Sequence, residues 1–197
     1  MGGSVNVAVK GLLDEAVLKK MLASIDVLVE NVYGRRGKAY LRENLPRYNQ
    51  AAQYGRWVVL VDLNDDAPCP PPLVATWLPG RNQNLHLRVA VRAIEAWLLA
   101  DREAIAYFLH VPQAKIPQQP EAESNPKVTL INIARHSRSR GIREDIVPRE
   151  GSTARQGVGY NSRLTEFVMK YWAPERAASC AESLKRSLAS LLRWKNE

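Results

Sequence analysis

The chain has little of what builds metal knuckles, disulfide frameworks or membrane spans. Its 197 residues include two cysteines, Cys69 and Cys180, and three histidines, His86, His110 and His136. Two cysteines so far apart exclude a zinc knuckle and a disulfide scaffold, and suit free thiols in a reducing compartment. The histidines share no short spacing. No Ser-His-Asp set or nucleophile elbow is visible, and Ser183 lies in helical sequence. Neither GxGxxG nor GxxxxGK[ST] occurs, so the common phosphate-cradling loops are missing. No apolar run approaches the roughly 20 residues of a membrane span. The opening MGGSVNVAVKGLL lacks a basic start, an apolar run and a small-residue cleavage site, so no secretion signal is expected and the expected location is cytoplasmic. Gly2 is not read as a myristoylation site, because Val5, Val7 and Val9 alternate as a strand.

What is present is an ordinary globular composition, 46% hydrophobic and 24% charged. A chain of this length can bury a full core without staples, in one domain with a small elaboration. The formal net charge is +8, and it is uneven. Residues 1–70 hold nine Lys/Arg and eight Asp/Glu, whereas residues 71–197 hold 19 and 12. The positive field therefore belongs to the later two-thirds, where it is compatible with a phosphate-rich partner or with solubility alone.

Hydrophobic periodicity orders the elements. Val5, Val7 and Val9 read as a strand that reaches Lys10-Gly11, a tight turn. Asp14 is placed to cap a helix carrying Val17, Leu18, Met21 and Leu22. Residues 25–32 read as the next strand, Gly34 to Gly37 as a turn, and 38–53 as a helix containing Pro46. The run WVVLV at 57–61 suits a central strand covered on both faces and ends at Asp62. A Pro-rich loop leads to a short helix at 73–77, and 85–91 alternates as another strand. From Ala93 the period becomes helical to about Leu109. Asn125-Pro126 starts a helix reaching about His136. Residues 137–159 read as a polar excursion, Asn161 or Ser162 starts a helix, and Pro174 opens a last one with Leu184, Leu188, Leu191 and Leu192 in one stripe. This order predicts an α/β fold with a mostly parallel sheet between helical layers and additional C-terminal helices. The expected division is a core over 1–110 and a helical extension over 111–197 with a basic loop at 137–159.

In such sheets ligands sit beyond the carboxyl ends of the strands. Those ends carry Lys10-Gly11, Asp62 to Asp66 and Arg92 to Glu95. Asp62, Asn64, Asp65 and Asp66 can offer oxygens to one hard cation, or form a solvated Asx-rich turn. Glu95 is either a third carboxylate beside Asp62 or a capping or buried-network residue held by Arg92. Lys10 can hold a phosphate, neutralise Asp62 or face water. Trp97, Leu98 and Leu99 read as core. Residues 135–155 hold six arginines and three acids. Arg135, Arg138, Arg140 and Arg143, with Lys127 and Arg92, are the candidate phosphate contacts, against the alternative of a solvated loop.

Asp14-Glu15, VLVDLNDD at 59–66, VAVRAIEAWLLADREAI at 89–105, NPK at 125–127, VGYN at 158–161 and the final SLKR helix together resemble a Toprim-like bacterial family of unknown function, often encoded beside ATPases in defence-type gene clusters. The resemblance runs through most of the chain, and RAIEAWLLAD is its most specific part. It implies a three-layer Toprim-like core and Mg²⁺- or Mn²⁺-assisted nuclease or phosphoryl-transfer chemistry on nucleic acid, possible partners being nucleic acid and an ATPase. The implied site has Asp62, Glu95 and Lys10 as catalytic groups, with Asp62, Asn64, Asp65, Asp66 and Glu95 around the metal. In the wider fold the first strand ends in Glu before Gly, and a later one in Asp-x-Asp. Here those positions read Lys10 and Asp62-x-Asn64. Protonated Lys cannot ligate a cation, and Asn supplies an oxygen without charge. Either the catalytic arrangement has moved or the protein is a catalytically degenerate module that binds nucleic acid or a partner protein without cutting.

Overall fold

A computed structural model describes residues 4–196; Gly2 lies outside them. Four parallel strands, β1 Ser4–Val9, β2 Leu28–Gly34, β3 Trp57–Asp62 and β4 Leu85–Ala90, form one sheet in the order β2-β1-β3-β4. The helices joining them are α1 Leu12–Ala23, α2 Gly37–Ala51 and α3 Pro70–Trp77. After β4 come α4 Ile94–Ala100, α5 Arg102–Phe108, α6 Pro126–Arg135, α7 Arg140–Ile146, α8 Tyr160–Lys170, α9 Pro174–Ala177 and α10 Glu182–Lys195. The expected α/β fold with a parallel sheet between helices and added C-terminal helices is present.

Why the middle of the sheet is so apolar follows from its position. β3 lies between β1 and β4 and has helices on both faces, so all six of its residues are buried. Val7, Val9, Val58 and Leu60 face one apolar cluster, which extends through α1, α4, α6 and α8 to Trp194. Val59, Val61, Leu85, Leu87 and Val89 face a second cluster with α2 and α3. The larger cluster joins residues of 1–110 and 111–197 in one continuous core, so the C-terminal helices complete a layer of the sheet rather than decorate it.

Several boundaries differ from the periodicity reading, each for a local reason. The second strand begins later than residue 25 because 24–27 form the turn that ends α1, with Asp26 at φ 53°. At its other end Gly34 has φ +90°, and a Cβ there would lie 2.3 Å from the Val9 carbonyl oxygen. Glycine is therefore required where this turn crosses the end of β1. The helix read from Ala93 to Leu109 is two helices, broken at Asp101. Its carboxylate accepts from the Ala173 backbone and from Arg176, tying the break to α9. The polar stretch after His136 contains α7: Ser139 caps it by accepting from the Ile142 N–H, and Ile142 and Ile146 are buried one turn apart. Pro174 opens only the short α9, and the leucine stripe belongs to the separate α10. Asn125 does cap α6, accepting from the Val128 N–H at 3.1 Å, with Pro126 at its first turn. Among the described residues no helix is long and apolar enough to cross a membrane.

Candidate functional site

The chain turns from β1 to β2 on one side and reaches β3 on the other, so the direction of sheet growth reverses between β1 and β3. At such a switch point two adjacent strands send their following loops apart and leave a crevice at their carboxyl ends. Lys10 follows β1, and Asp62 closes β3. The Lys10 ammonium lies 2.9 Å from Asp62 Oδ2 and 2.9 Å from Asp14 Oδ1. Asp14 does not cap α1. It lies in the first turn of that helix, one turn beyond Lys10, where the macrodipole favours its charge.

Asp62 has a second task. Its Oδ1 accepts from the Ile94 N–H at 3.0 Å, so it serves the first turn of α4, whose own preceding residue, Ala93, has no capping side chain. That bond fixes the carboxylate and brings Glu95, the next residue, against the same point. Glu95 is buried and accepts at 3.0 Å from the Tyr160 hydroxyl at the start of α8. Lys127 of α6 lies over the Tyr160 ring, 4.8 Å from its centroid. The cluster therefore assembles two strand ends and four helices.

Its electrostatics follow from burial and crowding. Burial by itself disfavours the Lys10 charge, but Asp62, Asp14 and Glu95 outweigh it and hold the ammonium well above the ordinary lysine range. Asp14 is pushed up to about 7, chiefly by burial. Lys10 opposes the rise, and the Asp62 and Glu95 charges add to it. Glu95 is raised by burial and by Asp62, with Lys10 and Lys127 pulling the other way. Tyr160 is raised well above the phenol range by burial and then by Glu95. Near neutral pH the cluster combines a fixed ammonium with Asp14 close to its titration point, in a polar network whose donors and acceptors serve one another.

The other expected site residues go elsewhere. Asn64 stands at φ 48° in an exposed turn, with its N–H bonded to the Arg92 carbonyl at 2.7 Å. Asp65 is exposed and pairs with Arg92 at 3.2 Å, so Arg92 does not hold Glu95. Asp66 pairs with Lys38. The segment after Asp62 is thus the Asx-rich turn, and it directs these two carboxylates away from Lys10. Arg135 and Arg138 are exposed, and Arg140 pairs with Glu144 at 2.6 Å. Arg143 donates to the Ser137 carbonyl. A surface groove of about 750 Å³ is lined by Arg135, Arg143, Arg149, Glu144, Asp145 and Pro148.

Two members of the cluster are not evident from the residue pattern. Asp14 reads as a helix cap, and its spacing of four from Lys10 is the available signal. Tyr160 lies inside VGYN, which marks the segment without giving the residue a role. Mg²⁺ requires near-octahedral oxygens at about 2.0–2.1 Å. Here an ammonium stands where Asp14 and Asp62 converge, so the donor set as arranged does not fit that ion. Among the described residues no three His, Cys, Asp or Glu groups gather to hold a metal. No family model, no curated protein and no solved structure matches the chain.

Proposed function

We propose that the chain is a catalytically degenerate Toprim-like binding module for nucleic acid, in which the Lys10 ammonium takes the place of the divalent cation that the resemblance implies. The observation that carries this reading is the pair of 2.9 Å contacts from Lys10 Nζ to Asp14 and Asp62. A cation supplied by the chain neutralises the carboxylates, leaves Asp62 free to hold α4, and stands at the crevice where this sheet would meet a ligand. Lys127 at the rim and the exposed Arg135 and Arg138 add positive charge on the later helices, suited to phosphate contacts that position without reading bases.

The test uses the full chain with labelled single- and double-stranded DNA and RNA. Binding is expected to weaken steeply with salt, and no cleavage is expected with Mg²⁺ or Mn²⁺, whether or not an ATPase partner is added. Metal-stimulated cleavage that disappears in Asp62→Ala would overturn the reading in favour of a nuclease or phosphoryl-transfer enzyme. That second reading has one observation behind it: Asp14, Asp62 and Glu95 are three buried carboxyl groups that all act on the Lys10 ammonium. It requires the ammonium to leave, so Lys10→Glu separates the two. This variant is expected to gain Mn²⁺ affinity by calorimetry where the parent has none. Equal, measurable Mn²⁺ affinity in both would favour the metal-dependent enzyme.

A further inference from the structure

We propose that the outer edge of β4 is a docking groove for an acidic, extended peptide segment of a partner protein, which would add to the sheet as a fifth strand. Among the described residues β4 is an edge strand, paired only with β3. Leu63 N–H bonds to the Ala90 carbonyl and Trp57 N–H to the Asn84 carbonyl. In a parallel ladder the backbone groups alternate sides, so those of Leu87 and Val89 point away from β3. The Val91 N–H, of the same set, points outward too and finds the Ser183 hydroxyl of α10 at 3.3 Å. That outward side opens on a groove of about 730 Å³ between α3 and α10.

The walls say what kind of chain would fit. Pro70, Pro71 and Val74 of α3 face Leu87 and Val89 across it, so its lining is largely apolar. A row of unpaired strand groups beside apolar pockets is the requirement for strand addition, in which main-chain bonds supply affinity and alternate side chains supply specificity. The groove's lining includes no aromatic side chain, so it lacks the stacking platform that single-stranded nucleic acid uses.

Charge selects the occupant. Arg81 and Arg88 line the groove, and among the described residues neither has a carboxylate partner. The groove's own acids are engaged: Glu182 pairs with Arg186 at 2.8 Å, and Glu121 accepts from Ser183. Arg88 is half-buried; among the described residues its Nε is buried without a hydrogen-bond partner and its guanidinium meets only His86 Nδ1, at 3.1 Å. Burial and the nearby Arg81 and Arg193 charges push it down to about 10, unusual for a guanidinium. An acidic segment would relieve that field. A second copy of this chain would bring a second pair of unpaired arginines, Arg81 and Arg88, to the same edge, which disfavours pairing of β4 with β4.

The probe is a fluorescein-labelled octapeptide of alternating Glu and Val, titrated with the full chain and read by anisotropy. Saturable binding is expected. It should weaken at least about tenfold when alternate peptide nitrogens are methylated, because methylation removes strand pairing and leaves charge and side chains in place. Arg81→Gln, an exposed change that leaves the fold intact, should weaken it several-fold, and Arg88→Gln further. Absence of saturable binding, equal binding of the methylated peptide, or no effect of either Arg variant would overturn the proposal. So would a concentration-dependent dimer that excludes the peptide, or a single-stranded oligonucleotide that displaces it. The candidate site at Lys10 plays no part in these outcomes.

Discussion

At the scale of single residues, the informative position is Lys10. A buried ion pair contributes little net stability when complete, but removing one member leaves the other charges stranded. Lys10→Met should therefore cost about 3 kcal/mol or more, read as a shifted urea midpoint, with the loss growing as pH rises. The pH dependence of the parent has a definite sign. Asp14 has a folded pKa of about 7 against an ordinary 3.8, so the folded state binds more protons than the unfolded chain between those values. Its stabilising effect is fully present below the ordinary value and is lost as pH rises toward 7. Each such group contributes at most about 1.4 kcal/mol per pH unit. Asp14→Asn should flatten the fall in stability between pH 4 and 7. Glu95, raised in the same direction, should leave a remainder that Glu95→Gln removes. A parent whose stability rises over that range would show that the acids are not protonated as described.

At the scale of elements, the junction of α4 and α5 is where the C-terminal helices are bound to the core. Asp101 is buried and takes three bonds, from Ala173 and from Arg176 Nε and Nη2, at 2.8–3.0 Å. Asp101→Ala should cost about 2 kcal/mol in chemical denaturation, because a backbone donor loses its acceptor and an arginine its bidentate partner. Asn125→Ala, which removes only a helix cap at an exposed end, should cost about 1 kcal/mol. If the two losses were equal, Asp101 would be no more than a local cap. The break at Asp101 has no signal in the hydrophobic period, since Ile94, Trp97, Leu98 and Ile105 keep helical spacing through it. The cause lies some 70 residues away in sequence, in α9. By contrast, α7 is legible in principle. Ser139 followed by Ile142 and Ile146 is a cap and an apolar stripe, obscured by the density of charge around it.

At the scale of the whole molecule, the net charge of +8 is concentrated after residue 70, and the later helices pack on the same layer as α1. Replacing Arg135, Arg138 and Arg140 together with Gln should lower the magnitude of the slope of log K against log salt by up to about 3 for double-stranded DNA, roughly one for each phosphate that an arginine no longer neutralises. An unchanged slope would place the nucleic-acid interface on another face. Arg143 is left out of this test because its bond to the Ser137 carbonyl holds α7, and its removal would confuse binding with folding.

The sequence by itself determined the alternation of strands and helices, the central position of WVVLV and the location of Lys10, Asp62 and Glu95 at strand ends or just beyond them. Period and turn residues are local properties, and the sheet's parallel sense follows from the helices between its strands. Tertiary structure alone decided which of the acids meet. Strand order placed β1 beside β3 and so put Lys10 on Asp62. The Asp62 bond to Ile94 brought in Glu95, and α8 packing on α1 delivered Tyr160. Asp65 and Asp66, closer to Asp62 in sequence than any of these, were turned outward to Arg92 and Lys38. Proximity along the chain does not predict convergence in a parallel sheet, because the groups that meet there come from neighbouring strands and from the helices packed across their ends.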